Sequence, residues 1–175
     1  MKDKIIIPPY LIPHFRSNHA GETGAVYIYK AIKIFNNDKK IKSFANEHYL
    51  TESRHLDLIE RILEPQKRSK LVLIWKVAGF FTGLIPSILG KNFIYSTIFY
   101  VESFVEKHYE EQIKILNQHQ QHKNLKKILI DLMGDEVSHK NESLENISGL
   151  KFYHKFWGKL ISSGSSLAVQ ISKKI

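Results

Sequence analysis

The sequence has 175 residues, 43% of them hydrophobic, and a formal net charge of +9. This length and composition predict one domain, 1–175, with a single core. Because the sequence contains no cysteine, it excludes disulfides, iron–sulfur clusters, cysteine nucleophiles and zinc sites built from thiolates. A metal ion would therefore need histidine and carboxylate ligands. The positive charge predicts an anionic partner, either nucleic acid or an acidic membrane surface.

The first residues, MKDKIIIPPYLIPHF, do not have the pattern of a targeting peptide. The apolar run is too short and too rich in proline for a signal peptide, and the arginine-rich amphipathic pattern of a transit peptide is missing. We therefore expect the protein to stay in the compartment where it is made.

Apolar residues recur at spacings of three and four along most of the chain, and strand patterns are nearly absent. This periodicity predicts an all-α fold. Asn36 to Asp38, Pro65 and the polar run Gln118 to Asn124 are the expected breaks, and Ser148 and Gly149 end the fourth long helix. The expected long helices cover about 14–35, 41–63, 92–117 and 125–147, and an amphipathic segment from Lys151 closes the chain.

An apolar segment, Leu71 to Gly90, separates the second and third long helices, and Lys76 is its only charged residue. Its length is close to the roughly 20 residues that span a bilayer. Gly79, Gly83 and Pro86 are expected to interrupt it. A segment lying in the membrane interface is the favoured interpretation, and a membrane span or an ordinary core helix are the alternatives.

The motif E-x-x-H occurs at Glu52 to His55 and at Glu136 to His139. Residues three apart share one face of a helix, so each motif can direct an oxygen and a nitrogen at one point. Glu22 and Glu52 lie about 14 and about 15 residues on either side of the break at Asn36, which puts both near 20 Å from the turn.

The second pair of long helices repeats this order, with Glu102 before the polar break and Glu136 after it. Two such hairpins in a four-helix bundle would supply the ligand set of the carboxylate-bridged di-iron or di-manganese proteins. Two divalent ions would cancel the charge of four carboxylates. Taken singly, each glutamate is better explained as a solvated residue on a helix face. The joint placement favours a metal centre with the ligands Glu22, Glu52, His55, Glu102, Glu136 and His139.

Other titratable residues near these positions are expected to have lesser roles. Asp135 is a candidate to hold a ligand imidazole by its second nitrogen. We expect His19 to form a hydrogen bond near the site rather than to bind metal. Glu106 and Glu110 continue the face of Glu102, where they are either supporting acids or exposed residues. The remaining histidines without a matched partner are expected on the surface or in packing roles: His14, His48, His119, His122 and His154.

Six segments of the sequence resemble the demethoxyubiquinone hydroxylase family, the di-iron monooxygenases of ubiquinone biosynthesis. The similarity covers nearly the whole chain. The segments are RSNHAGETGAVYIYK, HYLTESRHLDLIERIL, LIWKVAGFFTGLIPSILGK, YVESFVEKHYEEQI, DLMGDEVSHKNESLE and GSSLAVQISKKI. The resemblance implies a ferritin-like four-helix bundle with an additional apolar interfacial helical segment and a C-terminal helix. It assigns the same six metal ligands, with two iron ions as the cofactor.

The resemblance also implies a reaction, in which dioxygen is used to hydroxylate the ring of a polyprenylated methoxy-benzoquinol. His108 and Tyr109 match the family's His-Tyr pair, a proton or electron relay. Asn18 and Ser103 depart from acids that the family often has there, which leaves the hydrogen bonding around the metals open. A substrate with an isoprenoid tail implies a peripheral protein that contacts anionic lipid, on the cytoplasmic face of a bacterial inner membrane. A homo-oligomer or a ubiquinone-biosynthesis complex is also possible.

Two other functions compete with this one. A ferritin-type protein that stores or oxidises iron would not need the apolar segment at 71–90. A non-enzymatic basic helical protein that binds membrane or nucleic acid would not need two E-x-x-H motifs at matched depth, and the apolar segment argues against nucleic acid.

Gly21 and Gly24 flank Glu22, although each glycine costs a helix interior about 1 kcal/mol relative to alanine. Small residues there would let a facing helix, dioxygen or the quinol ring come close to the metals. The alternative is that they only loosen the start of the helix.

Overall fold

The computed structural model describes residues 5–118 and 122–175, and within these ranges the chain is helical and contains no strand. After a 3₁₀ turn at Pro9–Leu11, the helices run in the order α1 Ile12–Phe35, α2 Lys39–Ile62, α3 Val72–Leu89, α4 Lys91–Asn117, α5 Lys123–Glu145 and α6 Phe152–Ser172. The all-α prediction is confirmed, and the four long helices begin and end within about two residues of their expected bounds.

Local sequence signals explain where the helices begin and end. Asp38 caps α2, because its carboxylate accepts hydrogen bonds from the backbone N–H groups of Lys40 and Ile41 at 2.8 and 3.2 Å. Gly90 separates α3 from α4 with a φ of 107°, a conformation that side chains disfavour. Gly149 has a φ of 77° in the connection between α5 and α6.

Helices α1 and α2 form one antiparallel hairpin and α4 and α5 form the other, and together they make the four-helix bundle. Two apolar clusters fill its two ends. One includes Ile32, Phe44 and Ile98, and the other includes Phe15, Ile59 and Leu129. On α1, α2 and α4, the predicted metal ligands lie in sequence between residues of one cluster and residues of the other. All six predicted ligands are buried.

Helix α3 is continuous from Val72 to Leu89, so the expectation that Gly79, Gly83 and Pro86 interrupt it is wrong. These residues lie with Trp75 on the buried face, at helical spacing. A methyl group at Gly79 would overlap the carbonyl oxygen of Gly24 and lie 2.9 Å from its Cα atom. The glycines therefore let the backbones of α1 and α3 touch.

The opposite face of α3 is apolar and exposed. Leu73 and Ile88 are 73% and 74% exposed, and the same face carries Ile74, Val77 and Phe81. Among the described residues, α3 alone is long and apolar enough to cross a membrane, by length and composition only.

Helix α6 packs on α4 and α1, and Gly158 lies against the ring of Tyr100. Its outer face also exposes apolar side chains, including Phe152, Phe156 and Leu167. The fold therefore presents two apolar helix faces outside the bundle.

Candidate metal centre

The six predicted ligands come together in two overlapping clusters in the middle of the bundle. One cluster contains Glu22, Glu52, His55 and Glu136, and the other contains Glu52, Glu102, Glu136 and His139. Within each cluster, one ligand atom of every residue lies within 4.8 Å of the others. Glu52 and Glu136 belong to both clusters, so the arrangement has two positions for metal ions and two acids between them.

The two shared glutamates each turn one oxygen toward each imidazole. Glu136 has Oε1 at 3.2 Å from Nδ1 of His55 and Oε2 at 3.6 Å from Nδ1 of His139. Glu52 has Oε2 at 3.7 Å from Nδ1 of His55 and Oε1 at 3.0 Å from Nδ1 of His139. This is the orientation that a bridging carboxylate requires.

Several atoms of this centre are buried without a hydrogen-bond partner. They are both side-chain oxygens of Glu136, Oε1 of Glu52, Oε2 of Glu22 and Nδ1 of His55 and His139. Buried polar atoms are normally satisfied, so six unsatisfied ones around one centre indicate a missing partner. All six are of the kind that binds divalent metal ions, and the residues therefore fit such ions.

The pKa values show how strongly this centre attracts positive charge. Burial raises the pKa of Glu102 well above its usual range, and the charges of Glu136 and Glu52 raise it further. Burial alone would lower the pKa of His139, but the neighbouring carboxylates of Glu136 and Glu52 outweigh it and raise the value to about 11. The pKa of His55 is raised in the same way, against burial, by Glu136, Glu22 and Glu52. Without metal, protons take the place of the cations.

Hydrogen bonds from outside the clusters hold three of the predicted ligands. Asp135 Oδ2 lies 2.9 Å from Nε2 of His55, so Asp135 holds the imidazole of a predicted ligand on α2, and not one on its own helix α5. The hydroxyl of Tyr109 donates to Oε1 of Glu22 at 2.5 Å. The hydroxyl of Tyr29 donates to Oε1 of Glu102 at 2.8 Å. Sequence reasoning missed Tyr29, although it lies two helical turns after Glu22 on α1.

His48 has the packing role expected of it, and it also has a hydrogen-bond partner that the sequence did not predict. It is buried, its Nε2 lies 2.8 Å from Oε2 of Glu142 on α5, and its ring centroid is 3.9 Å from that of His139. No sequence spacing could reveal this pair, because its members lie 94 residues apart on different helices.

The other histidines agree with the predicted minor roles. His19 bonds to Glu60 at 3.1 Å and belongs to neither cluster. His14 stacks on His108, and His154 accepts a hydrogen bond from the backbone of Lys151. The ring of His122 meets that of Tyr10 edge-on. His119 lies outside the described residues.

Glu106 and Glu110 also stay out of the clusters. Glu106 pairs with Lys140 at 2.5 Å, and Glu110 lies 3.9 Å from Lys114. Asn18 and Ser103, which stand where the family often has acids, form hydrogen bonds of their own. Asn18 forms two with Gln112, each 2.9 Å long, and the hydroxyl of Ser103 donates to the backbone carbonyl of Phe99.

A cavity of about 440 Å³ opens beside the acids. Glu22, Glu52, Glu102 and Glu136 lie along it, together with Tyr109 and His108. His108 Nε2 is 2.9 Å from the hydroxyl oxygen of Ser17, and burial, followed by Lys173 and His14, lowers its pKa to about 3. His108 is therefore neutral and touches none of the six ligands.

The walls of the cavity come from α1, α3, α4 and α6 and are mainly apolar or small. They include Trp75 and Gly79 of α3 and Leu160, Gly164 and Ala168 of α6. Gly21 and Gly24 line the cavity too. A methyl group at Gly24 would lie 3.9 Å from the carbonyl oxygen of Trp75, an ordinary contact, and one at Gly21 would meet no atom within 4 Å, so the close approach of α3 depends on its own glycines.

Comparison with known proteins gives one family. The sequence model described as "Ubiquinone biosynthesis protein COQ7" matches residues 10–172. A Caenorhabditis elegans protein named NADPH-dependent 3-demethoxyubiquinone 3-hydroxylase is 29% identical over 91% of this chain and 88% of its own length. A Dictyostelium discoideum protein of the same name is 28% identical over 91% of this chain and 75% of its length. A Rhodospirillum rubrum protein named 3-demethoxyubiquinol 3-hydroxylase is 24% identical over 96% of this chain and 80% of its own length. The chain belongs to the COQ7 family of ubiquinone biosynthesis proteins.

Proposed function

We propose that this chain is a monooxygenase of ubiquinone biosynthesis, which uses dioxygen to hydroxylate the ring of a polyprenylated methoxy-benzoquinol, demethoxyubiquinol. The observation that carries the proposal is the pair of acid and histidine clusters beside a largely apolar cavity. The names of the relatives agree with it. A ferritin-type storage protein would gain nothing from such a cavity, so storage is not favoured.

We propose two iron ions as the resident metals, held by Glu22, Glu52, His55, Glu102, Glu136 and His139. When bound, the ions supply the redox chemistry that activates dioxygen. Mixed oxygen and imidazole ligands suit iron or manganese, and dioxygen chemistry favours iron. The protein's share is to hold the ions in a buried centre between two apolar clusters, where bulk water does not reach them.

The cavity supports binding of the quinol ring. Its volume of about 440 Å³ lies in the range of small-molecule sites. Glycines on three of its walls, Gly21, Gly79 and Gly164, leave space beside the acids for a ring. We propose that the isoprenoid tail leaves between α3 and α6 toward their exposed apolar faces.

We propose that His108 and Tyr109 act in proton or electron transfer at this site. The hydrogen bond from Tyr109 to Glu22 supports this role, because it connects the phenol directly to a predicted metal ligand. His108 lines the same cavity as the four glutamates, and its neutral imidazole has both a donor and an acceptor nitrogen for hydrogen bonds to a bound quinol.

We propose that the single domain 1–175 is a peripheral membrane protein on the cytoplasmic face of a bacterial inner membrane. The exposed apolar side chains of α3 and α6 support insertion into the interface, and the net charge of +9 favours anionic headgroups.

Anaerobic loading with ferrous iron, followed by addition of dioxygen, reductant and demethoxyubiquinol, tests the function directly. We expect about two irons per chain and formation of the hydroxylated quinol, as the two clusters predict. Glu136→Ala should abolish hydroxylation while helicity by circular dichroism stays near that of the wild type. Absence of bound iron under reducing, anaerobic conditions would refute the proposal, and iron oxidation without quinol hydroxylation would favour storage.

Liposome binding tests the membrane proposal. Replacement of Phe80 and Phe81 by serine should lower binding to anionic vesicles and activity on a long-tailed substrate, because the 52%-exposed Phe81 side chain belongs to the proposed contact face. Ile130→Ser on α5, where Ile130 is 43% exposed, is the matched control and should bind as the wild type does. Equal binding by the double variant would contradict the proposal.

A further inference from the structure

The two glutamates that belong to only one cluster share a feature that the shared glutamates lack. Each gives one oxygen to a buried tyrosine: Oε1 of Glu102 accepts from Tyr29 at 2.8 Å, and Oε1 of Glu22 accepts from Tyr109 at 2.5 Å. Tyr29 and Tyr109 lie on different hairpins and are 0% and 1% exposed. The centre therefore has one phenol for each of its two metal positions.

A tyrosine phenol is protonated at neutral pH, so both hydroxyls are hydrogen-bond donors to these carboxylates. A hydrogen bond from a neutral phenol to a carboxylate is short and strong, and it competes with a metal ion for that oxygen.

The number of available oxygens then sets the number of protein ligands. Each ion can receive one imidazole nitrogen, one oxygen from Glu52, one from Glu136 and one from its own glutamate. That makes four ligands where iron(II) commonly accepts about six. If the unshared glutamate bound through both oxygens, one of the remaining positions would be lost.

We propose that Tyr29 is a positioning residue, which engages one oxygen of Glu102 so that this carboxylate binds its metal ion through the other oxygen only, as Tyr109 does for Glu22. A bound ion would thereby keep coordination positions open to the cavity, along which the glutamates lie. The inference rests on the proposed metal centre, but it concerns coordination and not the identity of the substrate.

Cobalt(II) provides a spectroscopic test that needs no substrate. The metal-free protein is titrated anaerobically with cobalt(II), and visible absorption reports the coordination number, since the absorption weakens as this number rises. Azide is then added as a probe of open positions. Tyr29→Phe keeps the ring, which packs near Phe44 and His48, and removes only the hydroxyl.

In Tyr29→Phe we expect two cobalt ions to bind, weaker absorption from one of them, and azide affinity reduced by about tenfold or more, a usual size for the loss of an outer hydrogen bond. Tyr109→Phe should change the other ion in the same way. Tyr95→Phe removes the hydroxyl of another buried tyrosine, on α4, and should match the wild type. Unchanged absorption and azide affinity in Tyr29→Phe would overturn the proposal, as would loss of cobalt binding from a folded variant.

Infrared spectroscopy of the wild type tests the same point if Tyr29→Phe does not fold. Binding of metal to protein with isotope-labelled glutamate should give carboxylate bands of both bridging and single-oxygen type. Bridging and two-oxygen bands alone would overturn the proposal. A protein that passes these tests but does not hydroxylate the quinol would refute the proposed function and leave the role of Tyr29 intact.

Discussion

Replacement of a shared glutamate should affect metal binding more than replacement of an unshared one. Glu136 belongs to both clusters and Glu22 to only one. Glu136→Gln keeps the shape of the side chain but leaves both positions with an incomplete ligand set. Glu22→Gln leaves the cluster of Glu52, Glu102, Glu136 and His139 complete. The two variants therefore remove the same charge but different numbers of sites.

The expected size of the effect follows from binding linkage. A metal ion at 100 times its dissociation constant stabilises the folded state by about 2.7 kcal/mol per site. Two sites give about 5.4 kcal/mol in the wild type, and for a chain of this length each kcal/mol raises Tm by about 2–4 °C. Metal should therefore raise Tm by about 10–20 °C in the wild type, by about half of that in Glu22→Gln, and hardly at all in Glu136→Gln.

Thermal unfolding followed by circular dichroism, anaerobically, with and without ferrous iron or manganese(II), measures these shifts. Calorimetric titration gives the number of ions bound per chain: two, one and none for the wild type, Glu22→Gln and Glu136→Gln. If the two variants respond equally to metal, the assignment of Glu136 as a shared ligand is wrong.

Three further predictions test the packing and the electrostatics. Gly79→Val should destabilise the protein by about 1–3 kcal/mol in urea unfolding, because backbone atoms of α1 cannot move aside. Gly134→Ala, in open space on α5, is the control and should stabilise the protein by up to about 1 kcal/mol. A Gly79→Val variant as stable as the wild type would contradict the close contact. His108 has a pKa of about 3, so below pH 6.5 the unfolded state binds a proton that the folded state does not bind. The contribution of His108 should therefore lower the free energy of unfolding by about 2 kcal/mol from pH 6.5 to pH 5. A His108→Gln variant whose stability depends on pH as that of the wild type does would refute this prediction. His48→Phe keeps the ring that stacks on His139 but loses the hydrogen bond to Glu142 on α5, so we expect the free energy of unfolding in urea to fall by about 1 kcal/mol. A loss of stability in Glu142→Gln that His48→Phe does not share would contradict the pairing of His48 with Glu142.

The two acid and histidine clusters were largely predictable because their residues follow the helical period. An E-x-x-H motif determines which two side chains share a helix face, and the number of residues from the turn determines how far along the bundle they lie. The sequence therefore predicts that Glu22 and His55 lie close together. The position of Asp135 beside the imidazole of α2 depends on the rotation of α2 against α5. The same rotation sets the pair of His48 and Glu142, and sequence spacing carries no signal for it.

The error over Gly79, Gly83 and Pro86 has a physical cause. Intrinsic propensity makes these residues unfavourable in a helix interior. In α3, the absence of a side chain at Gly79 and Gly83 permits backbone contact with Gly24 and Ile28 of α1, and burial of one apolar face compensates for the propensity. Pro86 lies in the last part of the helix, where its carbonyl oxygen still accepts a bond from the N–H of Gly90.

The division of ligands between the two hairpins has a consequence for folding kinetics. Each cluster takes three residues from one hairpin and one from the other, Glu136 joining the residues of α1 and α2, and Glu52 joining those of α4 and α5. Neither hairpin alone can offer four ligands, so a complete site exists only after the hairpins have docked. Bound metal should then slow unfolding far more than it speeds folding, because its bonds are absent until the last step. The persistence of the loaded protein is accordingly governed by an unfolding barrier that the ions themselves raise.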